Sequence, residues 1–395
     1  MLRLYDTRTR QVEPVEPERR GSLRLYSCGP AVYRPAHAGD LRACLLADLI
    51  RRTVERSGRT VTSCQGITDV RLLAGDGETD PAEGGEGGET GAEGAAGPDL
   101  ARHYEEAFRA DCAALNIRPA EFTLRVSESI GLIIELIGPL LADGHAYQVP
   151  SGSVYFAAEP GQRSPADWAL WHAAPAGAGQ AWPAPWGSGL PSRPTACAAM
   201  SLRCLGEFVD VHTGGLGPRS PHDEHVRALS AAVTGHEVVQ HWVHGEALLF
   251  GGRRMAQAAG NVLRPGDAEA RGLDPLALRL AFLEHRYRQQ MNLSWETLAA
   301  ADGGVRRWRD RVAEWANSPS RPMCAQYVSE FTAALDDDLD SPAALRVLRG
   351  LDQDGEIPPG SKFETFVYLD QVLGLDLARD IGKAPAPRLR PPGAD

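Results

Sequence analysis

The sequence has 395 residues, 43% hydrophobic and 24% charged, which is the balance of a globular protein and excludes the disordered and fibrous classes. No apolar run approaches the about 20 residues that span a bilayer, the first residues lack the apolar core of a secretion signal, and seven scattered cysteines argue against a disulfide framework. We therefore predict a cytoplasmic protein with no membrane partner. The net charge is −11, but eight acidic residues lie between Gly75 and Asp99, so the remainder is nearly neutral and lacks the basic excess of a nucleic-acid-binding protein.

The first elements predict a parallel βαβ unit. Alternating residues at 23–26 predict a strand, which we expect to end in a turn at Cys28-Gly29-Pro30. Apolar residues at helical spacing, with no Gly or Pro, predict a helix from Leu41 to Val54, and a β-prone run predicts a strand from Thr60 to Cys64. This order indicates an α/β fold with a Rossmann-like parallel sheet, whose site lies beyond the strand ends.

The rest of the chain divides by composition. A Gly- and Glu-rich segment, 73–98, cannot bury enough apolar surface to order itself and is expected to be a disordered loop within a catalytic domain spanning 1–270. The predicted elements that follow are helices at 100–115 and 126–143, a strand at 153–156, an irregular connection at 161–194, a strand at 207–212, a helix at 221–233 and a strand at 238–244. The region 100–195 is thus an inserted connective region.

From residue 275 onward the pattern is helical only. The predicted helices are 275–290, 295–316, 324–336, 341–351 and 361–374. Together they predict a C-terminal helical bundle over 275–375, followed by a Pro- and Arg-rich disordered tail at 384–395.

Two cysteines and a histidine lie near the predicted strand ends. Cys28 follows the first strand, Cys197 follows the irregular connection, and His222 begins a helix. Thiolate and imidazole are ligands that zinc prefers, and three protein ligands with one open position describe a catalytic zinc site. No C-x-x-C pair supports this reading, so buried small cysteines and a surface histidine are the alternative.

Two glycine-containing turns could bind a nucleotide. His37 and Gly39 precede the first helix, where a phosphate could approach the helix N-terminus, with Asp40 as the N-cap residue; simple capping is the alternative. Asp210 precedes Gly214-Gly215 and could hold a ribose, but a plain turn fits these residues equally well.

Taken in order, these segments resemble the cysteinyl-tRNA synthetase family of class I, or its shorter relative that joins cysteine to glucosaminyl-inositol in mycothiol synthesis. The similarity extends from Leu4 to about Leu375. The segment from Cys28 to Tyr33 resembles the family's CGPTVY motif, and Gly66 to Val70 resembles its NITDVDD motif. The resemblance implies a Rossmann-like core followed by a helical bundle, a zinc ion held by Cys28, Cys197 and His222, and, less directly, ATP with Mg²⁺. Because the chain stops after the helical region, we expect no anticodon-binding domain.

The motifs that carry the family's chemistry are altered in this chain. The family's His-Ile-Gly-His is His37-Ala38-Gly39-Asp40, and its Lys-Met-Ser-Lys-Ser is Arg254-Met255-Ala256-Gln257-Ala258. No lysine precedes Lys362, so no nearby ammonium replaces the missing lysine. Since removing one donor aimed at transition-state charge typically lowers the rate ~10²–10³-fold, ordinary tRNA charging is disfavoured.

The substrate side is altered as well. The tryptophan that lines the family's cysteine pocket is Arg193, which adds a positive charge suited to a carboxylate or phosphate. The family's fourth zinc ligand, a glutamate, is Val226, while Glu224 and His225 lie off that helical face.

These residues carry the predicted site, with roles that follow from the resemblance. The roles are catalytic for His37, Asp40, Arg254 and Gln257; substrate-binding for Gly29, Tyr33, Thr68 and Arg193; nucleotide-binding, if retained, for Gly39, Asp210, Gly214, Gly215 and Met255; and zinc-binding for Cys28, Cys197 and His222. The predicted function is a tRNA-independent zinc ligase that joins a cysteine-like amino acid to a small-molecule amine in secondary or thiol metabolism. The alternatives are a zinc enzyme that couples or rearranges an amino acid without ATP, and an inactive synthetase-like binding protein.

Overall fold

The computed structural model describes residues 1–19, 21–70, 98–159, 161–174, 180–215, 221–255 and 260–383. Almost all of the predicted disordered loop, the predicted tail and the candidate catalytic residue Gln257 lie outside these described residues.

Fourteen strands and eleven helices make up the described residues. The strands are β1 (Arg3–Asp6), β2 (Gln11–Pro14), β3 (Ser22–Ala31), β4 (Thr60–Thr68), β5 (Phe122–Arg125), β6 (Ala146–Gln148), β7 (Val154–Phe156), β8 (Trp168–Ala173), β9 (Gly189–Pro191), β10 (Val209–Gly214), β11 (Val239–His244), β12 (Leu248–Phe250), β13 (Arg253–Arg254) and β14 (Met291–Leu293). The helices are α1 (Ala38–Arg56), α2 (Pro98–Ala114), α3 (Ile130–Ala142), α4 (Arg193–Leu205), α5 (His222–Thr234), α6 (Pro265–Glu269), α7 (Leu276–Leu283), α8 (Trp295–Trp315), α9 (Ala325–Asp336), α10 (Ser341–Gln353) and α11 (Pro359–Leu373).

The central sheet is parallel and has the strand order β11-β10-β3-β4-β5. The chain runs outward from β3 through β4 to β5, then returns to the other side of β3 at β10 and runs outward again to β11. This is the doubly wound order of a Rossmann-like fold, and it confirms the predicted fold class. In such sheets a ligand binds beyond the carboxyl ends of the strands where the order reverses, here between β3 and β10.

Strand β3 continues through the segment that was predicted to be a turn, so that prediction is wrong. Its register with β4 is regular from Ser22 to Cys28 and shifts before Ala31. A Cβ on Gly29 would lie 1.9 Å from the carbonyl oxygen of Gly66. Gly29 therefore permits a close backbone approach at a strand irregularity, a feature that often lies next to active sites.

The connective region holds a four-stranded antiparallel sheet in the order β6-β7-β8-β9. The irregular connection predicted at 161–194 is therefore wrong where β8 and β9 lie. Its Pro, Gly and Trp content suggested a loop, but Leu170 and Trp171 of β8 are fully buried. Pairing with β7 and this burial stabilise the strand despite its composition.

The helix predicted over 275–290 ends at Leu283 instead, and the chain continues to β14. In the segment after α7, the carbonyl groups of Arg286, Tyr287 and Gln289 accept hydrogen bonds from the buried guanidinium of Arg42 on α1 rather than from helical N–H groups. Burial lowers the pKa of Arg42 to about 10, which leaves it charged at neutral pH. These bonds hold the turn after α7 against α1.

A second buried network attaches the C-terminal helices to α1. The carboxylate of Asp48 accepts from Arg52 Nε and Arg279 Nη2, each at 2.8 Å. Arg279 also donates to the carbonyl of Leu373 at the end of α11. Buried charges are stable only when paired and hydrogen-bonded in this way. Within the part of the chain that the structure describes, no helix is long and apolar enough to cross a membrane.

A candidate metal centre at the carboxyl edge of the sheet

The predicted zinc ligands converge. Cys28 Sγ lies 3.9 Å from Cys197 Sγ and 3.6 Å from His222 Nε2, and all three ligand atoms lie within 4.8 Å of one another. Around one tetrahedral zinc ion, two sulfurs would lie about 3.8 Å apart and a sulfur and a nitrogen about 3.6 Å apart. The donor set and its spacing therefore fit zinc.

Three separate elements supply these side chains. Cys28 is on β3 near its carboxyl end, and His222 is the first residue of α5, which follows β10. Helix α4 begins at Arg193 with Pro194 in its first turn, a favourable position for proline, and presents Cys197 one turn later. All three ligands thus reach the edge at which the strand order reverses.

The thiol pair is polarised. The hydrogen bond between the two sulfurs, together with burial, raises the pKa of Cys28; the same bond is the main cause that lowers the pKa of Cys197, helped by the charge of His222. The positive charge of Arg193 acts on both thiols in the lowering direction. One thiolate is therefore favoured before any metal binds, and metal binding requires deprotonated sulfur.

Among the described residues near Val226, none supplies a carboxylate as the fourth zinc ligand. Val226 itself is buried among apolar side chains. The carboxylate of Glu224 is exposed and pairs with Arg227 at 2.9 Å, while the His225 ring stacks on Trp168 with centroids 4.0 Å apart. Neither of the two side chains considered as replacements belongs to the metal-ligand group.

His212 is a neighbour of the centre that sequence reasoning did not place there. Its Nε2 lies 3.3 Å from Cys28 Sγ, and its ring lies against Tyr26 and Trp242. Burial lowers the pKa of His212 to about 4, so the imidazole is neutral at physiological pH. Only the position of His212 in the Asp-Val-His-Thr-Gly-Gly segment of β10, near the carboxyl edge, could have signalled this.

A further buried pair holds the start of α5. His244 Nε2 lies 2.9 Å from Asp223 Oδ2, and His244 Nδ1 lies 2.8 Å from Thr7 Oγ1. Burial opposes ionisation of Asp223, but the close contact with His244 outweighs it and lowers the pKa of Asp223. Because Asp223 follows His222 directly, this pair restrains the orientation of a metal ligand. Sequence reasoning missed it, since the three residues are far apart in the chain.

The predicted N-cap of α1 is wrong. The helix begins at Ala38, and His37 is the N-cap, with its Nδ1 accepting from the backbone N–H groups of Gly39 at 3.0 Å and Asp40 at 3.4 Å. Asp40 is the third helical residue, and its carboxylate accepts from His37 N at 2.9 Å and Arg34 Nη1 at 3.1 Å. Burial works against the charge of Asp40, yet His37 and Arg34 lower its pKa. The carboxylate is thus ionised and neutralised by Arg34.

Two of the altered motifs meet at the start of α1. A Cβ on Gly39 would lie 2.8 Å from the His37 ring and 3.7 Å from Met255 Cε, and Met255 is buried. Arg253 and Arg254 form the exposed strand β13, and the carbonyl of Arg254 accepts from Asn261 Nδ2 at 2.8 Å. The predicted catalytic residues His37, Asp40 and Arg254 therefore lie in neighbouring segments.

The residues that were predicted to hold a ribose do not lie together. The carboxylate of Asp210 accepts from the backbone N–H groups of Glu18 at 2.9 Å and Arg24 at 2.6 Å. Asp210 is four residues from Gly214 along β10, which is about 13 Å in an extended strand. Gly214 instead lies against the His244 ring, and Gly215 lies near Ala43 of α1. The structure thus brings Gly215 close to α1, whereas Asp210 is bonded near the other end of β10.

The predicted substrate residues lie at the same edge as the metal ligands. Thr68 is buried at the end of β4, and its carbonyl accepts from Val32 N at 2.9 Å. Tyr33 is half-buried just beyond β3. Gly29 has the backbone role described above, and Arg193 is near enough for its charge to act on Cys28 and Cys197.

Comparison with known proteins decides the family. The family model described as tRNA synthetases class I (C) catalytic domain matches residues 14–162 and 157–303. Cysteine–tRNA ligase from Salinibacter ruber is 36% identical over 87% of this chain and 77% of its own length. The chain belongs to the cysteinyl-tRNA synthetase family. Cysteine–tRNA ligase 1 from Burkholderia lata is 34% identical over 95% of this chain and 84% of its own length.

Solved structures agree on the fold. Methionyl-tRNA synthetase from Mycobacterium tuberculosis, in complex with methionyl-adenylate, matches with a TM-score of 0.59 over 92% of this chain and 94% of that chain, at 14% identity. A putative arginyl-tRNA synthetase from Campylobacter jejuni matches with a TM-score of 0.54 over 93% of each chain, at 10% identity. At these identities the likeness shows a class I synthetase fold and carries no conclusion about substrate.

Proposed function

We propose that this member of the cysteinyl-tRNA synthetase family is a zinc-dependent ligase that joins a cysteine-like amino acid to a small-molecule amine, without tRNA. The supporting observation is the convergence of Cys28, Cys197 and His222 at zinc spacing. Zinc held by two thiolates and one imidazole would keep a position for a substrate thiolate or amine and act as a Lewis acid toward it. The protein residues around it would select and orient the rest of the substrate.

Arg193 is the residue that would fix the orientation of the amino acid. It occupies the first position of α4, four residues before Cys197, and its charge acts on both thiols of the centre. A guanidinium there would pair with the carboxylate of a bound amino acid, which a tryptophan in that position cannot do. This exchange supports an altered substrate rather than the relatives' own reaction.

In the proposed reaction the amino acid carboxylate attacks the α-phosphorus of ATP and pyrophosphate leaves. The amine then attacks the resulting acyl carbon, loses a proton, and AMP leaves. Arg253 and Arg254, both exposed next to the segment that contacts Gly39, would supply the positive charge that a lysine supplies in the family motif.

Two features at the start of α1 favour a second candidate, an amino-acid coupling or rearranging enzyme that does not use ATP. The N–H groups at the start of α1 that would face phosphate are already bonded to His37, and the carboxylate of Asp40 occupies the neighbouring cation, Arg34, at 3.1 Å. Both features weaken a phosphate site at a helix N-terminus. An inactive binding protein would share them.

ATP–pyrophosphate exchange on zinc-loaded protein, with each amino acid in turn, tests the proposal. We expect exchange that depends on a thiol amino acid and is lost in Cys197→Ser, and product formation with small amines but not with tRNA. Zinc binding without any ATP affinity in calorimetry would instead support the second candidate. Aminoacylation of tRNA at a rate above that with small amines would refute tRNA independence.

A further inference from the structure

A cavity of about 310 Å³ lies between the central sheet, α1 and α2. Ser27 of β3 lines it, and along the strand this side chain alternates with those of Tyr26 and Cys28. Successive side chains of a strand point to opposite faces of the sheet. The cavity therefore lies on the face opposite the metal ligand Cys28, and none of the residues used in the function proposed above is among the described residues that line it.

Three polar side chains form a row across the floor of the cavity. Ser27 of β3 is in register with Gln65 of β4, and Gln65 is in register with Thr123 of β5. The neighbouring positions on this face are apolar and buried, with Leu25 two residues before Ser27 and Ile67 two residues after Gln65. A parallel sheet that is covered on both faces normally presents apolar side chains beneath its helices. A polar row at this place is an exception that requires hydrogen-bonding partners.

The protein itself supplies little to this row. Gln65 Nε2 has the sulfur of Cys44, a weak acceptor, at 3.6 Å. Ser27 Oγ donates to the carbonyl of Cys64 at 3.5 Å, which is long for a hydrogen bond. In the part of the chain that the structure describes, no hydrogen bond reaches the side-chain oxygen of Gln65 or the hydroxyl of Thr123. The row thus offers a donor and an acceptor to a ligand that carries an amide group.

The walls of the cavity are apolar. Phe108 of α2 and Ile117, in the loop after α2, line it and are buried. A cavity of about 150 Å³ holds benzene, so about 310 Å³ has room for a ligand of roughly twice that size. Apolar walls with a few placed polar groups are typical of small-molecule sites, and this volume is at the lower end of their range.

The open side of the cavity has an excess of positive charge. Two guanidinium groups share the carboxylate of Glu55, with Arg51 Nε at 2.8 Å and Arg118 Nη1 at 2.6 Å. Arg51 also donates to the carbonyl of Pro119 at 2.8 Å, which fixes it across the opening. Among the described lining residues the one carboxylate is that of Asp48, which is buried and already paired with two other arginines. One positive charge therefore remains at the opening for a ligand anion.

We propose that this cavity is a binding site for a small carboxylate whose apolar body carries an amide group, that is, an N-acylated amino acid. The amide pairs with Gln65 and Ser27 on the floor, and the apolar body lies against Phe108. The carboxylate lies at Arg51 and Arg118, where a guanidinium can donate two parallel hydrogen bonds to it. The single uncompensated charge favours a monoanion over a phosphate dianion. This site is independent of the proposed ligase reaction.

Calorimetric titration of the full-length, zinc-loaded protein with N-acetyl-L-leucine tests the proposal. We expect one site per chain with a Kd of about 1 mM or tighter, as is reasonable for a ligand of this size. N-acetyl-L-leucinamide, which lacks only the charge, should bind at least ~10-fold more weakly. Arg118→Gln should weaken binding of the carboxylate to a similar extent and leave binding of the amide unchanged. Arg102→Gln, an exposed arginine outside the cavity, is the matched control and should change neither.

A second variant keeps the test independent of folding. Gln65→Leu replaces a side chain that has only a weak partner by an apolar one of similar size, so we expect a fold at least as stable in urea unfolding and binding weakened about 10-fold or more. Unchanged affinity in folded Gln65→Leu would mean that the probe binds elsewhere, such as at Arg193, and would overturn the proposal. Absence of binding at roughly ten times the expected Kd, or equal affinity for the carboxylate and the amide, would also overturn it. None of these outcomes depends on ligase activity, so the two proposals can fail separately.

Discussion

We expect a single substitution, Val226→Glu, to add a fourth ligand to the proposed zinc site. Val226 is one helical turn after His222, on the same face of α5, and is 1% exposed. In zinc-free protein the new carboxyl group would be buried, with a pKa raised to about 8–9, and at pH 7 this destabilises the fold by about 4 kcal/mol relative to an exposed glutamate. Because the pKa is raised in the folded state, the destabilisation should grow as pH rises from about 4 to 8.

Zinc should reverse this effect. Zinc binding to structural sites with four ligands contributes about 10–16 kcal/mol, roughly 3 kcal/mol per ligand, so the added carboxylate should tighten zinc binding by about two orders of magnitude. Val226→Gln is the matched control, because it has the same size and polarity without the charge.

The assay is a pair of urea unfolding curves with and without zinc, together with competition for zinc against a chromophoric chelator. If Val226→Glu binds zinc no more tightly than Val226→Gln, the position does not face the metal and the reasoning about the open site is wrong.

Three further predictions concern the framework. Gly29→Ala should destabilise the protein by more than about 3 kcal/mol in urea unfolding, since its Cβ would meet the Gly66 carbonyl at 1.9 Å. The control Gly131→Ala, whose Cβ would meet no neighbouring atom within 4 Å, should leave stability unchanged or raise it by up to about 1 kcal/mol. Equal effects of the two substitutions would contradict the close approach of Gly29 to Gly66. Asp48→Asn should destabilise by about 3–5 kcal/mol because Arg52 and Arg279 stay buried without a full counter-charge, and a loss below about 1 kcal/mol would show the network to be unimportant. Asp40 has a lowered pKa, so its charge stabilises the fold above the usual carboxyl pKa of about 4, and this contribution is lost as pH falls through the lowered value. The difference in unfolding free energy between the native protein and Asp40→Asn should therefore be present at pH 7 and vanish at low pH. A difference that stays constant with pH would refute the pairing of Asp40 with Arg34.

Local patterns were sufficient where one element determines its own structure. The β3–α1–β4 unit and the strands at β10 and β11 follow from apolar periodicity, and the parallel sheet follows from their order. Strands β8 and β9 could not be predicted in this way, because their composition suggests a loop and only pairing with β7 makes them regular. Contacts between distant segments override local propensity there.

The same distinction between local patterns and long-range contacts applies to the residues of the site. Cys28, Cys197 and His222 were predicted because their residue types are informative and their order matches a family. Asp40 was assigned to the wrong capping position because the helix start was placed at Leu41, whereas the true start at Ala38 makes His37 the cap. The His244–Asp223 pair depends on where β11 and α5 meet in space, which no local pattern encodes. The sequence places His212 near the carboxyl edge of β10, but its contact with Cys28 also depends on the pairing of β10 with β3.

X-ray absorption at the zinc edge, on protein purified with one equivalent of metal, tests the central claim most directly. We expect one zinc per chain with two sulfur neighbours at about 2.3 Å and at least one nitrogen neighbour at about 2.0–2.1 Å. In Cys197→Ser, one sulfur neighbour should disappear. A protein that retains no zinc, or a zinc spectrum without sulfur neighbours, would contradict a metal centre formed by Cys28, Cys197 and His222.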